Sequence, residues 1–257
     1  MFDSCLIHVD SCSLGVKFIG CETHCTHLTC TDLLLSCVQH CAPPPPPLPP
    51  VPPTQSSLTM QHVQTTGSTA LQGKGGMLFL RNAEATVVDS TDTFASSGTV
   101  GGSMYVEGLA GLHLFRRTTI KHSAAAEYGG FMAAKGTTVQ LDRAHVENCT
   151  AVVGGGGMHL DTSAVTHDGC SFLDVHSAGS GGGLWMKSSR FVWHEGDEGN
   201  EGHAAVTTFT QSRSPVGSFA TVHDQGNQLN HVDVRGSTSQ PRHSLASSDS
   251  SDSSDSD

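Results

Sequence analysis

Paired glycines recur through the middle of this chain, at Gly75-Gly76, Gly101-Gly102, Gly129-Gly130, Gly155-Gly156 and Gly181-Gly182. The second members lie 26, 28, 26 and 26 residues apart. Two residues after each pair stand Leu78, Met104, Met132, Met158 and Leu184, and two further on stand Leu80, Val106, Ala134, Leu160 and Met186. An apolar-x-apolar doublet at a fixed distance from a glycine pair, repeated at a fixed period, is one structural unit copied several times.

The rest of the unit has the same grammar. Nine and eleven residues after the second glycine come Ala85 and Val87, Val139 and Leu141, Val165 and His167, Phe191 and Trp193. In the 28-residue unit the corresponding doublet is read as Leu112 and Leu114, displaced by one. Ile120, Val146 and Phe172 each stand ten residues before the next glycine mark. Period-2 doublets separated by Gly, Ser, Thr, Asp and Asn are short strands, and no stretch sustains a helical period. Three strands and three turns in about 26 residues describe one coil of a parallel β-helix, each strand pairing with its counterpart in the next coil. An antiparallel β-sandwich also spaces its turns regularly, but gives no reason for one residue class at one offset in successive units. The expected fold is therefore all-β, a right-handed parallel β-helix (solenoid) of about five to six coils with disordered flanks.

The run Val146-Glu147-Asn148-Cys149-Thr150-Ala151, followed by Gly155-Gly156-Gly157-Met158-His159, resembles the repeat of the chlamydial polymorphic membrane proteins, which reads FxxNxA and then GGAIY. Ile120 to Ala133 and Phe172 to Trp185 fit the same frame, with Ala125, Ala151 and Ser177 at the small position. The family's Asn position is occupied by Ser123, Cys149 and Val175. The resemblance spans about residues 58–194. It implies a right-handed β-helix of the pectin-lyase-like type, used at cell surfaces for adhesion, and hence an extracellular or surface location.

Five regions follow: a Cys-rich segment 1–42, a Pro-rich linker 43–57, repeats 58–194, an acidic loop with degenerate strands or a cap 195–236, and a Ser/Asp tail 237–257. The net charge is −11, and Asp249, Asp252, Asp255 and Asp257 of the tail supply four of the negative charges. No Lys/Arg cluster exists beyond Arg116-Arg117, which argues against nucleic acid as a partner. No stretch has the apolar length of a membrane span. Asp3 stands where a signal peptide carries positive charge, and His8 and Asp10 break the apolar run, so the native start is expected upstream. The linker PPPPPLPPVPP is a polyproline spacer whose PxxP also suits an SH3-like or profilin-like groove. The tail cannot bury apolar surface, and its Ser-acidic pairs resemble substrates of acidophilic kinases.

Seven of nine cysteines lie in the first 41 residues. They suit disulfides, a coil with buried thiols built on Leu6, Val16, Phe18 and Leu33–Leu35, or zinc held by Cys21, Cys25, His27 and Cys30. Cys149 and Cys170 fall in different columns and are expected in the core, unbridged.

Two candidate sites arise from the stacking. Asp142 and Asp168 share one column a coil apart, a spacing that could serve glycoside hydrolysis, although no Arg or Lys is placed with them as a lyase requires. Paired turn aspartates on the surface are the competing reading. Between the two buried positions of the first doublet runs an outward column, Phe79, Tyr105, Ala133, His159 and Trp185. Its rings would make a ladder able to pack on sugar faces, or one that only stiffens the sheet. The function expected is a non-enzymatic, adhesin-like scaffold without a cofactor that contacts a glycan or cell-surface ligand. The alternatives are a polysaccharide lyase or hydrolase, and an intracellular protein that interacts through the Pro-rich and Ser/Asp segments.

Overall fold

The computed structural model describes residues 56–108, 111–193, 206–217, 219–224, 226–230 and 232–239, with the backbone alone of 6–10, 13–19 and 24–29. Every element in it is a strand, and the strands stack as a parallel β-solenoid of about six turns. Residues 43–55 of the Pro-rich linker, the acidic loop of 194–205 and the tail from 240 lie outside the described residues, while Ser56 and Ser57 already belong to a strand.

Each coil has three faces. The first face is Leu78–Arg81, Met104–Glu107, Met132–Lys135, Met158–Asp161, Leu184–Lys187 and Ala220–His223. The second runs from Ala83–Val88 through Leu112–Arg116, Thr138–Asp142, Ala164–Asp168 and Arg190–Trp193 to Gln228–Leu229. The third runs from Thr91–Thr93 through Thr119–Lys121, His145–Glu147, Ser171–Leu173 and Thr207–Thr210 to Val232–Arg235. Two-residue strands such as Ala124–Ala125 form a further short ladder, ending at Thr238–Ser239. The long strand Ser56–Thr66 opens the stack and bends from the second face into the third.

The apolar columns are in register as the glycine spacing predicts. Met104 pairs with Leu78 and Met132, Met132 with Met158, and Met158 with Leu184, all fully buried. Corners between faces turn on single residues of positive φ, among them Asp89, Arg117 and Arg143 at one corner and Phe94, His122, Asn148 and Asp174 at another. One left-handed residue turns the chain from one face to the next without a loop, which is why strands of two to five residues suffice.

The two glycines of each pair serve different needs. Gly129 has φ +69°, a conformation that side chains disfavour. At Gly130 a Cβ would stand 2.1 Å from the carbonyl oxygen of Gly156 in the next coil.

In the 28-residue unit the expected doublet is wrong by one residue. His113 pairs with Val139 and Phe115 with Leu141, and both are buried, whereas Leu112 is 47% exposed. The two extra residues sit in the connection between Glu107 and Leu112, so the strand slides by two and its parity is kept. Cys149 and Cys170 are buried, unbridged core residues, as expected. Burial pushes their thiols up, to about 12 and about 11, and so keeps them protonated and inert.

At the start of the stack, Leu6–Asp10 adds in parallel to Leu78–Arg81 and pairs antiparallel with Ser13–Ile19. His24–Thr29 lies antiparallel on Ser56–Thr66. Leu6, Val16 and Phe18 therefore do lie in strands, while Leu33–Leu35 lie outside the described residues. Beyond the acidic loop, Thr207–Thr210 and the strands after it continue the same columns.

Candidate functional site

The outward column of the first face is built by alternation along each strand, and its members pair coil to coil from Phe79 to Tyr105, Ala133, His159, Trp185 and Thr221. It is not a bare solvent-facing ladder. Tyr105 is only 3% exposed and Ala133 only 1%. The turn before each first-face strand lies over the outward column of the next coil: Cβ atoms placed on Gly75 and Gly101 would come within 2.9 and 3.2 Å of the Tyr105 and Ala133 backbone nitrogens. These turns are themselves linked, Val100 bridging to Tyr128, Tyr128 to Gly154, and Gly154 to Ser180. An aspartate at position 133, which simple alternation would tolerate, therefore meets a covered site.

The rings fall into two groups. Phe79 stacks on Tyr105 at 5.5 Å between centroids. Lys74 closes this group, with its ammonium 4.2 Å from the Tyr105 ring centre while Nζ donates to the phenol oxygen at 2.9 Å. Burial and the neighbouring Glu107 raise the Tyr105 phenol above its ordinary range, so it stays neutral. The second group is larger and partly open. His159 stacks on Trp185 at 4.5 Å, and Trp185 meets His223 at 4.7 Å. Tyr128 reaches over from the turn, 4.6 Å from His159 and 5.5 Å from Trp185. Tyr128, His159 and Trp185 are half-buried, and His223 is exposed. The sequence pattern missed Tyr128 because its column holds no other ring, and missed His223 because it lies two residues along from the ring column, paired with Lys187 and beyond the irregular loop.

Beside the rings the next outward column alternates in charge: Arg81, Glu107, Lys135, Asp161 and Lys187. Arg81 reaches Glu107 at 3.3 Å, and Lys74 reaches it at 3.9 Å. These are part-exposed pairs that contribute little to stability, and the alternation leaves no run of one charge sign beside the rings.

Asp142 and Asp168 do pair in register across adjacent coils. Contrary to the sequence reading, a cation stands with them. Arg116 occupies the same column one coil earlier, and its Nε lies 2.8 Å from Asp142, with Arg143 Nε at 3.5 Å. The slip in the 28-residue unit had put Phe115 there. Of the zinc candidates, Cys25 and His27 fall on the strand His24–Thr29, which has only its backbone described, and Cys21 and Cys30 lie outside the described residues. Among the described residues no group of three His, Cys, Asp or Glu side chains is placed to hold a metal ion. No helix among them is long and apolar enough to cross a membrane.

Two histidines lie in the core, His167 at the doublet position that the spacing gives it and His113 where a leucine was expected. His113 is stacked between the Ala85 and Val139 positions and leaves both ring nitrogens without a partner. His167 is also buried, with Nδ1 2.9 Å from Thr207 Oγ1. Burial pulls the His113 imidazole down to about 4 from an ordinary 6.5, so the folded state holds it neutral. Below pH 6.5 the unfolded chain takes up this proton and the folded chain does not. Stability from this group is thus complete above pH 6.5 and is lost as pH falls towards 4, by about 3 kcal/mol in all. Burial also lowers half-buried His159 to about 4, adding to the slope, whereas burial raises the Asp92 carboxyl and opposes it. The expected result is that His113→Leu loses less stability than the parent between pH 7 and pH 4.5 in urea unfolding; equal losses would mean that His113 finds a proton partner.

Compared with known proteins, the chain matches no family model, no curated protein and no solved structure.

Proposed function

We propose that this chain is a non-enzymatic β-helix scaffold, an adhesin-like protein of a cell surface or matrix, whose first face contacts a glycan. The observation that carries this reading is the ring group of Tyr128, His159, Trp185 and His223, which lies outside the solenoid core and is partly open to solvent. Rings set on a rigid parallel sheet keep one spacing along the solenoid and lose little conformational freedom when an extended polymer lies across them. A flanking charge column of alternating sign suits a neutral ligand better than a polyanion. The resemblance of the repeat to the polymorphic membrane proteins supports a surface location and the pectin-lyase-like variety of the fold. The enzyme alternative draws no support from Asp142, whose carboxylate is engaged by two arginines.

The test is retention of the full chain on insoluble glycans and on cells, with a Trp185→Ser, Tyr128→Ser double variant alongside. The parent is expected to be retained on at least one neutral glycan, with retention falling about tenfold or more in the variant while the far-ultraviolet spectrum is unchanged. Equal retention of variant and parent, or a parent retained on nothing in the panel, rejects the glycan reading.

A further inference from the structure

The two ends of the solenoid are finished differently. At the start, strands are laid antiparallel on the stack, as His24–Thr29 is on Ser56–Thr66. At the other end, each sheet stops on a strand of the last coil with no further partner among the described residues. The apolar columns run out to this edge. Met186, Phe191 and Phe209 are wholly buried, yet Val222, Leu229 and Val234, which pair with them in register one coil on, are 50%, 40% and 40% exposed. Core positions are thus exposed along a strand edge that has no further partner among the described residues, a combination that templates strand addition.

We propose that this open end joins two copies of the chain about a two-fold axis through Val234. The backbone sets the register. Arg235 C=O accepts from Gln211 N–H at 2.9 Å, so it points back into the stack. Alternate residues of a strand face opposite neighbours, which turns Val234 N–H and C=O to the free edge. Antiparallel pairing of Val232–Arg235 with itself then exchanges two hydrogen bonds between the two copies of Val234. The same register brings Asp233 opposite the second copy's Arg235, and Arg235 opposite the second copy's Asp233. Within one chain these two side chains already contact each other, Nε to Oδ2 at 2.7 Å, on the outward side of the strand. The strand is therefore complementary to itself in hydrogen bonding, in apolar side and in charge, which is what an isologous interface requires. The residues that follow Ser239 in the sequence make a poorer cover. QPRHSLASSDSSDSSDSD offers Leu245 and Ala246 as its apolar side chains, with no alternating apolar pattern to match the exposed columns.

The experiment is sedimentation equilibrium of the full chain across the micromolar range, with thermal unfolding of each variant at low concentration to verify its fold. The parent is expected to dimerise. Val234→Asp, which sets two carboxylates against each other on the axis, is expected to weaken the dimer roughly thirty-fold or more. Arg235→Asp alone is expected to weaken it, and the exchange Asp233→Arg with Arg235→Asp to restore it, because each charge again meets its opposite across the axis. A parent that stays monomeric, a dimer indifferent to Val234→Asp, or a charge exchange that fails to restore the Arg235→Asp loss overturns the proposal.

Discussion

Gly130→Ala is expected to lower the unfolding free energy by about 3 kcal/mol, far more than a glycine-to-alanine change that meets no neighbouring atom. The added Cβ would lie 2.1 Å from the Gly156 carbonyl oxygen and 2.6 Å from both the nitrogen and the oxygen of Thr150. All three are backbone atoms of the next coil, so no side chain can swing away. Relief requires the two coils to part, at the cost of neighbouring bonds such as Gly130 N–H to Gly155 C=O. Gly136→Ala is the matched control. Its φ is +60° but nothing lies within 4 Å of the added atom, so only the conformational cost of about 1 kcal/mol applies. Urea unfolding of both variants checks the contrast. Equal losses would mean that the coils are not in contact at Gly130.

The second large effect is at the centre of the core. Met132 is wholly buried and stacked between Met104 and Met158, so Met132→Asp places an unpaired carboxyl among apolar neighbours at a cost of several kcal/mol. The variant is expected to be unfolded by circular dichroism, while Met132→Leu, which nearly conserves volume, stays folded. Ala133→Asp is expected to damage the fold as well, because the turn before the strand covers that position. An Ala133→Asp variant as stable as the parent would return residue 133 to the solvent face.

The contrast between 132 and 133 shows how far the sequence is legible. Inward columns repeat in residue class because they touch their own copies in adjacent coils, so the glycine pairs and the Leu/Met positions disclose the fold. The outer cover is made by irregular turns with no repeated side chain: Lys74, Val100, Tyr128, Gly154 and Ser180 share one place in the repeat and nothing in chemistry. Nothing in that column signals that it packs over Tyr105 or Ala133, or that Tyr128 joins the ring group. The misplaced doublet at Leu112 and Leu114 has another cause. Hydrophobicity favours Leu112 over His113 at an inward position, but strand parity is set by where the two extra residues lie, and they lie in the preceding connection. The same slip hid Arg116 behind Asp142. Stacking thus made the partners of a candidate site readable only where the repeat length was constant.

The stacking itself is the central claim, and distances along one outward, half-buried column test it most directly. Thr93, Lys121, Glu147, Leu173 and Thr210 pair in register through successive coils of the third face. Spin labels placed at Thr93 and, in turn, at each of the other four positions should report separations that rise in equal steps of about 4.8 Å per coil, although the successive residues are 28, 26, 26 and 37 apart in sequence, within the spread of the label arms. A series that fails to grow steadily with repeat number, as in a sandwich whose strands alternate between two sheets, would contradict the parallel solenoid and every site derived from it.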